Sequence, residues 1–151
     1  MAVPFAKNRE GSCLGKISAL GLVDIPMRSN LIVDLDALAD TARTVRPRLV
    51  ALGASMTLFP VPVAKMGEIV HPWGGRVFFD GAHKPGLIGG GQFQDPLAEG
   101  AAVMTRSAGK TYRGPQSGIV VWNDPELAAP LFHAIFPTLA ATPAWPPQPS
   151  S

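Results

Sequence analysis

The sequence predicts an α/β fold in which a mostly parallel sheet is doubly wound by helices. Short apolar runs rich in Val, Ile and Phe indicate buried strands, and segments with apolar residues at helical spacing lie between them. Glycines or small polar residues follow most of the runs, which is typical of turns. Strands that alternate with helices usually pair in parallel, so helices are expected on both faces of the sheet.

The clearest helix is predicted over residues 34–46. Its apolar residues recur at helical spacing, and its charged residues take the opposite face. Asp34 or Asp36 near its start suits the positive end of the helix dipole, and Pro47 ends the helix. A weaker pattern before it, over residues 20–25, indicates a short strand.

Two more strands and a helix follow. Residues 49–53 and 76–80 are predicted as buried strands, each of which ends in a turn of small or polar residues. Residues 62–70 are predicted as the helix between them, shortened by prolines on both sides.

The next strands are predicted over residues 101–104 and 118–122. About a dozen residues without a crossover helix join them, so the second strand is expected to lie antiparallel to the first. A glycine-rich passage over residues 86–91 and a turn of helix that opens at residues 95–97 precede this pair.

The C-terminal part is predicted to hold one last helix, over residues 124–136. Asp124 is its expected cap and Pro125 its first residue. The proline-rich residues 142–151 are predicted to form a disordered tail. Residues 1–141 would then form a single domain, which suits a chain of 151 residues.

Composition argues against several classes of function. No apolar run approaches the roughly 20 residues that cross a bilayer, so an integral membrane protein is not expected. Thirteen basic and eleven acidic side chains give a net charge of +2 and are scattered, which gives nucleic-acid binding no support. The single cysteine, Cys13, allows neither an internal disulfide nor a thiolate cluster, and no metal site is predicted. These features and the lack of a signal-peptide pattern predict a cytoplasmic protein.

Lys110 stands at the tip of the polar crossing between the last two predicted strands. The run Ala108-Gly109-Lys110-Thr111 suggests a phosphate-binding loop, but Met104 stands where the first glycine of that motif is required. Glycines and a proline after Thr111 would also break the helix that should hold the phosphates. The sequence therefore does not favour a nucleotide-binding loop.

Polar residues follow three successive predicted strands, and Lys110 is one of them. Ser55 follows the first, Asp80 and His83 the second, and Lys110 the third. The carboxyl ends of parallel strands share one edge, so these groups are expected to converge there. A lysine in a partly dry crevice can form an imine with a carbonyl compound such as pyridoxal phosphate. An aspartate near the pyridine nitrogen would keep that nitrogen protonated, and Asp80 suits this role.

The order of several short motifs resembles the serine hydroxymethyltransferase family, pyridoxal-phosphate enzymes of the aspartate-aminotransferase fold. The resemblance covers roughly residues 9–142 and concerns the middle of the family's large domain. The motifs that carry it are VDLDAL at 33–38, RPRLV at 46–50 with GAS at 53–55, DGAH at 80–83 with GLI at 86–88, KTYRGP at 110–115 and AIFP at 134–137.

By position, the resemblance implies that Lys110 forms an aldimine with pyridoxal phosphate and that Asp80 pairs with the pyridine nitrogen. His83 and Ser55 would lie near the cofactor's phenolic oxygen and the substrate carboxylate, and Ser107 would supply a hydroxyl beside the site. Two positions depart from the family pattern. Gly109 replaces a usual histidine, and Gln116 replaces a usual arginine.

The resemblance implies retro-aldol chemistry on glycine, serine or threonine, with tetrahydrofolate as a possible co-substrate and a homodimer as the assembly. The stretches GASMTLFP and GGGQFQDPL look closer to aldolases and threonine transaldolases of this type, which makes such an enzyme the alternative. The family's segments upstream and downstream of the matched region have no counterpart here. A second alternative is therefore a fragment without activity of its own.

Overall fold

The computed structural model describes residues 23–29, 32–57 and 59–139. The predicted tail at residues 142–151 and Cys13 lie outside the described residues, as does most of the predicted strand over residues 20–25. The described end of that predicted strand, Val23 to Ile25, is not a strand. Met27 instead forms a single antiparallel bridge with Val33.

Four strands form one sheet in the order β1-β2-β3-β4. They span Leu49–Leu52 (β1), Arg76–Asp80 (β2), Val103–Ser107 (β3) and Gly118–Trp122 (β4). β1, β2 and β3 are parallel, and β4 is antiparallel to β3. The predicted mostly parallel sheet and the reversed last strand are confirmed, but β3 begins two residues later than predicted and extends to Ser107.

The predicted helices before β1, between β1 and β2 and after β4 are present, and one further helix lies between β2 and β3. They are α1 (Leu35–Val45), α2 (Val63–Val70), α3 (Pro85–Gly89) and α4 (Ala128–His133). A 3₁₀ turn at Pro125–Leu127 leads into α4, and an irregular helical segment, Ala134–Leu139, follows it. The glycine-rich passage was expected to be irregular, so α3 is a short helix that the sequence pattern missed.

The residues predicted to begin and end the helices are found at the helix ends. Asp34 caps α1 by accepting a hydrogen bond from the Ala37 backbone N–H at 3.1 Å. Arg46 ends α1 in the left-handed conformation immediately before Pro47. Asp124 accepts from the Glu126 backbone N–H at 2.9 Å, and Pro125 is the first residue of the turn.

The core lies on one face of the sheet. α1 and α2 place apolar side chains at helical spacing against alternate residues of the strands. The central members of this core are Leu38, Val50, Leu52, Val63, Met66, Val70, Val77, Phe79 and Met104. Residues on the opposite face, such as Leu49, Phe78 and Trp122, are half-buried or exposed. In the described part of the chain, the buried side chains of the sheet therefore lie on one face.

No helix among the described residues is long and apolar enough to cross a membrane.

Candidate functional site

The carboxyl ends of β1, β2 and β3 lie along one edge of the sheet, because these strands are parallel and in register. Leu52 is the partner of Phe79, and Asp80 is the partner of Thr105. The turns that follow the three strands therefore lie side by side. We call this row of turns the carboxyl edge; it comprises residues 53–57, 81–84 and 108–114.

Lys110 and His83 meet at the carboxyl edge. Lys110 Nζ lies 3.1 Å from His83 Nε2, and both residues are exposed. The lysine ammonium donates this hydrogen bond when Nε2 of the imidazole carries no proton. The structure therefore places a base within reach of the one lysine that the sequence singled out.

Thr111 fastens the Lys110 turn to the start of α3. Its hydroxyl oxygen accepts a hydrogen bond from the Gly86 backbone N–H at 3.0 Å, and the hydroxyl donates to the His83 carbonyl at 3.3 Å. The turn closes on itself through a bond from the Arg113 N–H to the Lys110 carbonyl at 2.9 Å. These bonds explain why Lys110 remains beside His83 although 27 positions separate the two residues.

Asp80 is held by its own turn at the end of β2. Its Oδ1 accepts a hydrogen bond from the Ala82 backbone N–H at 2.9 Å, and the next residue, Gly81, donates to the Thr105 carbonyl at 2.9 Å. Gly53 packs directly against the backbone of Asp80, where a side chain would have no room. The half-buried carboxylate is thus oriented by its own turn, and the backbone around it is held from both neighbouring strands.

The two serines are less closely connected to this centre. Ser55 is exposed in the turn after β1, and Ser107 is a half-buried residue at the end of β3, where it pairs with Gly118. Among the described residues, neither side chain forms a hydrogen bond with Lys110, Asp80 or His83. Of the predicted site residues, the structure joins Lys110 with His83 directly and brings Asp80 to the same edge.

Sequence reasoning missed a second lysine at this edge. Lys84 is buried, and its Nζ donates to the Ala54 carbonyl at 3.1 Å. Burial lowers the pKa of Lys84, and the negative charge of Asp80 partly opposes that shift. A lysine beside a histidine in a turn is ordinarily solvated, so only the folded structure could reveal its burial.

The departure at Gly109 has a structural counterpart. A side chain at residue 109 would overlap the amide end of Gln116. The two positions that depart from the family pattern therefore lie against each other beside Lys110.

These residues fit a pyridine cofactor that carries an aldehyde. Such a cofactor requires an accessible amine for its carbonyl carbon and a carboxylate for its ring nitrogen. Lys110 is exposed, and the Asp80 carboxylate is half-buried at the end of the adjacent strand. The amine and the carboxylate thus lie on one edge, as such a ligand requires.

A surface groove of about 420 Å³ lies at the opposite end of the sheet. Arg76, Ala101 and Asn123 are among its lining residues. Arg76 is paired there with Asp124 at 3.2 Å. Its charge is therefore partly neutralised, and the groove is separate from Lys110.

Comparison with known proteins decides the family. A family model described as serine hydroxymethyltransferase matches residues 16–144. The chain belongs to the serine hydroxymethyltransferase family. This confirms the resemblance drawn from the motifs.

Individual relatives agree with this assignment. A serine hydroxymethyltransferase of Methanothermobacter thermautotrophicus is 45% identical over 112 residues, which cover 74% of this chain and 26% of the relative. One of Sulfolobus acidocaldarius is 40% identical over 126 residues, covering 82% of this chain and 29% of that protein. An alpha-methylserine aldolase of a Ralstonia species is 43% identical over 109 residues, covering 72% of this chain and 25% of the relative. The chain spans about a quarter of the length of the curated relatives that it matches.

Proposed function

We propose that this chain carries the cofactor-attachment part of a pyridoxal-phosphate enzyme that acts on a small amino acid such as glycine, serine or threonine. The observation that carries the proposal is the contact of Lys110 Nζ with His83 Nε2 at 3.1 Å, on the edge where Asp80 ends its strand. The motifs around these residues are those of a family whose members carry the name serine hydroxymethyltransferase.

Lys110 is the residue to which the cofactor would be attached. An amine attacks a carbonyl only when it has lost its proton, and His83 Nε2 is within hydrogen-bond distance to accept that proton. Thr111 keeps the amine in place through its bonds to the Gly86 N–H and the His83 carbonyl. His83 therefore both orients Lys110 Nζ and exchanges a proton with it.

Asp80 would pair with the ring nitrogen of the cofactor. When bound, pyridoxal phosphate supplies a ring that accepts the electrons left at the α-carbon of an amino acid after a bond is broken. A carboxylate at the ring nitrogen favours the protonated ring, which accepts electrons best. The Ala82 N–H holds one oxygen of Asp80 at 2.9 Å and so fixes the direction of the carboxylate.

Ser55 and Ser107 complete the proposed set. Ser55 is exposed at the carboxyl edge, so its hydroxyl is accessible to a ligand there. Ser107 precedes Lys110 by three residues at the end of β3. We assign both to contacts with the cofactor or the substrate carboxylate, in a cytoplasmic enzyme that works as a homodimer.

Two reactions suit this site. A hydroxymethyltransferase passes the carbon unit to tetrahydrofolate, whereas an aldolase releases it as a free aldehyde. The second candidate is favoured by the similarity to the alpha-methylserine aldolase of a Ralstonia species. Serine or α-methylserine cleavage by the chain, assayed with and without tetrahydrofolate, distinguishes the two, because only the aldolase reaction proceeds without folate.

The attachment experiment uses the purified chain, pyridoxal phosphate and borohydride reduction, followed by peptide mass spectrometry. We expect the cofactor mass on the peptide that contains Lys110, and its loss in Lys110→Ala. The matched control is Lys65→Ala, because Lys65 is an exposed lysine of α2 that pairs with Glu68 at 2.9 Å. Labelling that is absent from the wild type, or equal in Lys110→Ala, would refute the proposal and leave the fragment without activity as the explanation.

A further inference from the structure

Lys84 is the one charged residue in the buried set among the described residues; 9% of its surface is exposed. Its backbone is fixed at the start of α3. The Lys84 N–H donates to the Gly81 carbonyl at 3.0 Å, and the Lys84 carbonyl accepts from the Ile88 N–H at 3.0 Å. The side chain therefore begins from a rigid position in the turn after β2.

The side chain crosses to the neighbouring turn. Lys84 Nζ donates to the carbonyl of Ala54, the residue before Ser55, at 3.1 Å. It also lies 5.7 Å from the centre of the Phe93 ring, within the range of a cation–π contact. One ammonium group thus joins two turns of the carboxyl edge, 30 positions apart in sequence, and also contacts Phe93.

Packing alone does not account for a lysine at this position. An ammonium loses much of its hydration when it is buried, and an apolar side chain of similar volume often stabilises such a site equally or better. Asp80 lies close enough for its charge to compensate part of this cost. The cation instead supplies what methionine could not, a directed hydrogen bond to the Ala54 carbonyl.

We propose that Lys84 is a positioning residue that holds the Ala54–Ser55 turn against the turn that carries Asp80 and His83. By fixing the first turn to the second, it sets where the Ser55 hydroxyl stands relative to the Asp80 carboxylate. The tether is a property of the chain without any ligand. Its consequence for cofactor binding rests on the function proposed above.

The test compares Lys84→Met and Lys84→Arg with the wild type. Lys65→Met is the control, since it removes an exposed lysine of α2 whose ammonium pairs with Glu68. Backbone order parameters are measured residue by residue by ¹⁵N relaxation, together with the urea midpoint and the dissociation constant for pyridoxal phosphate. We expect Lys84→Met to lower the order parameters of residues 53–57 from about 0.85, the value of rigid backbone, toward about 0.6, while the urea midpoint stays the same or increases. Lys84→Arg, which keeps a donor and a charge, should restore part of the order.

The binding measurement gives a second, separate readout. Lys84→Met should weaken pyridoxal phosphate binding by about tenfold, the effect of losing one positioning contact, while the label stays on Lys110. Unchanged order parameters in residues 53–57 would overturn the tether, as would an equal fall across the whole chain. If the wild type binds no pyridoxal phosphate, the function proposed above fails, but the relaxation comparison still decides the tether. If Lys84→Met does not fold, Lys84→Gln is measured in its place against the same criteria.

Discussion

Gly53 is the residue where a single methyl group should disturb the candidate site most. Its φ is +112°, in a region that side chains rarely adopt. An added Cβ would overlap the Asp80 carbonyl oxygen and lie 2.8 Å from its carbonyl carbon and 2.9 Å from its Cα. All three are backbone atoms of a central strand, so no side chain can rotate away to make room.

Two costs combine in Gly53→Ala. An unfavourable backbone conformation costs about 1–3 kcal/mol, and overpacking costs about 1–3 kcal/mol. Together they predict a loss of about 2–6 kcal/mol in the free energy of unfolding, against a total of about 5–15 kcal/mol for a typical domain. The variant should therefore be close to unfolded or clearly less stable.

A second glycine separates the two costs. Gly100 has a φ of +101°, yet nothing lies within 4 Å of the position that its Cβ would take. Gly100→Ala should therefore show the backbone cost alone, about 1–3 kcal/mol. Urea denaturation of both variants and the wild type, followed by circular dichroism, measures the difference. Equal losses in the two variants would refute the claim that Gly53 is required by its contact with Asp80.

Three further predictions concern the core, the α1 cap and Lys84. Met104→Ala should lower the free energy of unfolding by about 2–5 kcal/mol in urea denaturation, because Met104 is completely buried; a loss below that of an ordinary surface substitution would contradict the packing described above. The hydrogen bond from the Ala37 N–H holds the pKa of Asp34 below its usual 3.8. The cap therefore stabilises the folded chain above pH 3.8, and this contribution is lost as the pH falls through the folded-state pKa. In Asp34→Ala, the melting temperature should therefore fall less steeply than in the wild type as the pH decreases. An equally steep fall in both proteins would contradict a stabilising role of Asp34 as the cap. Burial lowers the pKa of Lys84 below 10.5, although the charge of Asp80 opposes this shift. Between the folded-state pKa and 10.5, the unfolded chain therefore binds more protons than the folded chain. The free energy of unfolding consequently rises as the pH increases through this range. Lys84→Met should remove that alkaline gain in urea denaturation across this range, whereas Lys65→Met should retain it.

The sequence was sufficient where local signals and tertiary packing agree. β1, β2 and β4 are runs of apolar, β-favouring residues, and α1 carries a cap, an amphipathic stripe and a proline stop. The start of β3 was predicted two residues too early, because Ala101 and Ala102 belong to the apolar run, whereas pairing with β2 begins only at Val103. The strand then continues through Thr105, Arg106 and Ser107 without apolar side chains. Thr105 pairs with both neighbouring strands, whereas Arg106 and Ser107 pair with β4 alone.

α3 was missed because its local signals oppose a helix. Two of its five residues are glycines, which disfavour helices by about 1 kcal/mol each. Contacts with distant residues outweigh this preference: Pro85 and Ile88 are buried, and the Gly86 N–H donates to Thr111. A side chain at residue 86 would overlap the Thr111 carbonyl, so the glycine that weakens the helix also permits the Lys110 turn to dock.

The candidate site was predictable in its main members but not in its connections. The ends of β1 and β2 could be read from the sequence to within one residue, although that of β3 could not. Parallel pairing then placed Asp80, His83 and Lys110 on one edge. The distances between the three turns of that edge are set by contacts between residues far apart in the sequence, which no local sequence pattern indicates. They are the bonds of Lys84 to Ala54, of Thr111 to Gly86 and of Lys110 to His83.

These three contacts form a chain of links across the edge. Lys84 joins the first turn to the second, and both Thr111 and Lys110 join the third turn to the second. The turn after β2 is therefore the common reference for the other two. A change that displaces this turn should move Ser55 and Lys110 together, whereas loss of Lys84 should release only the first turn and loss of Thr111 only the third. The arrangement thus makes the turn between Asp80 and Lys84, rather than the Lys110 turn alone, the element on which the geometry of the candidate site depends.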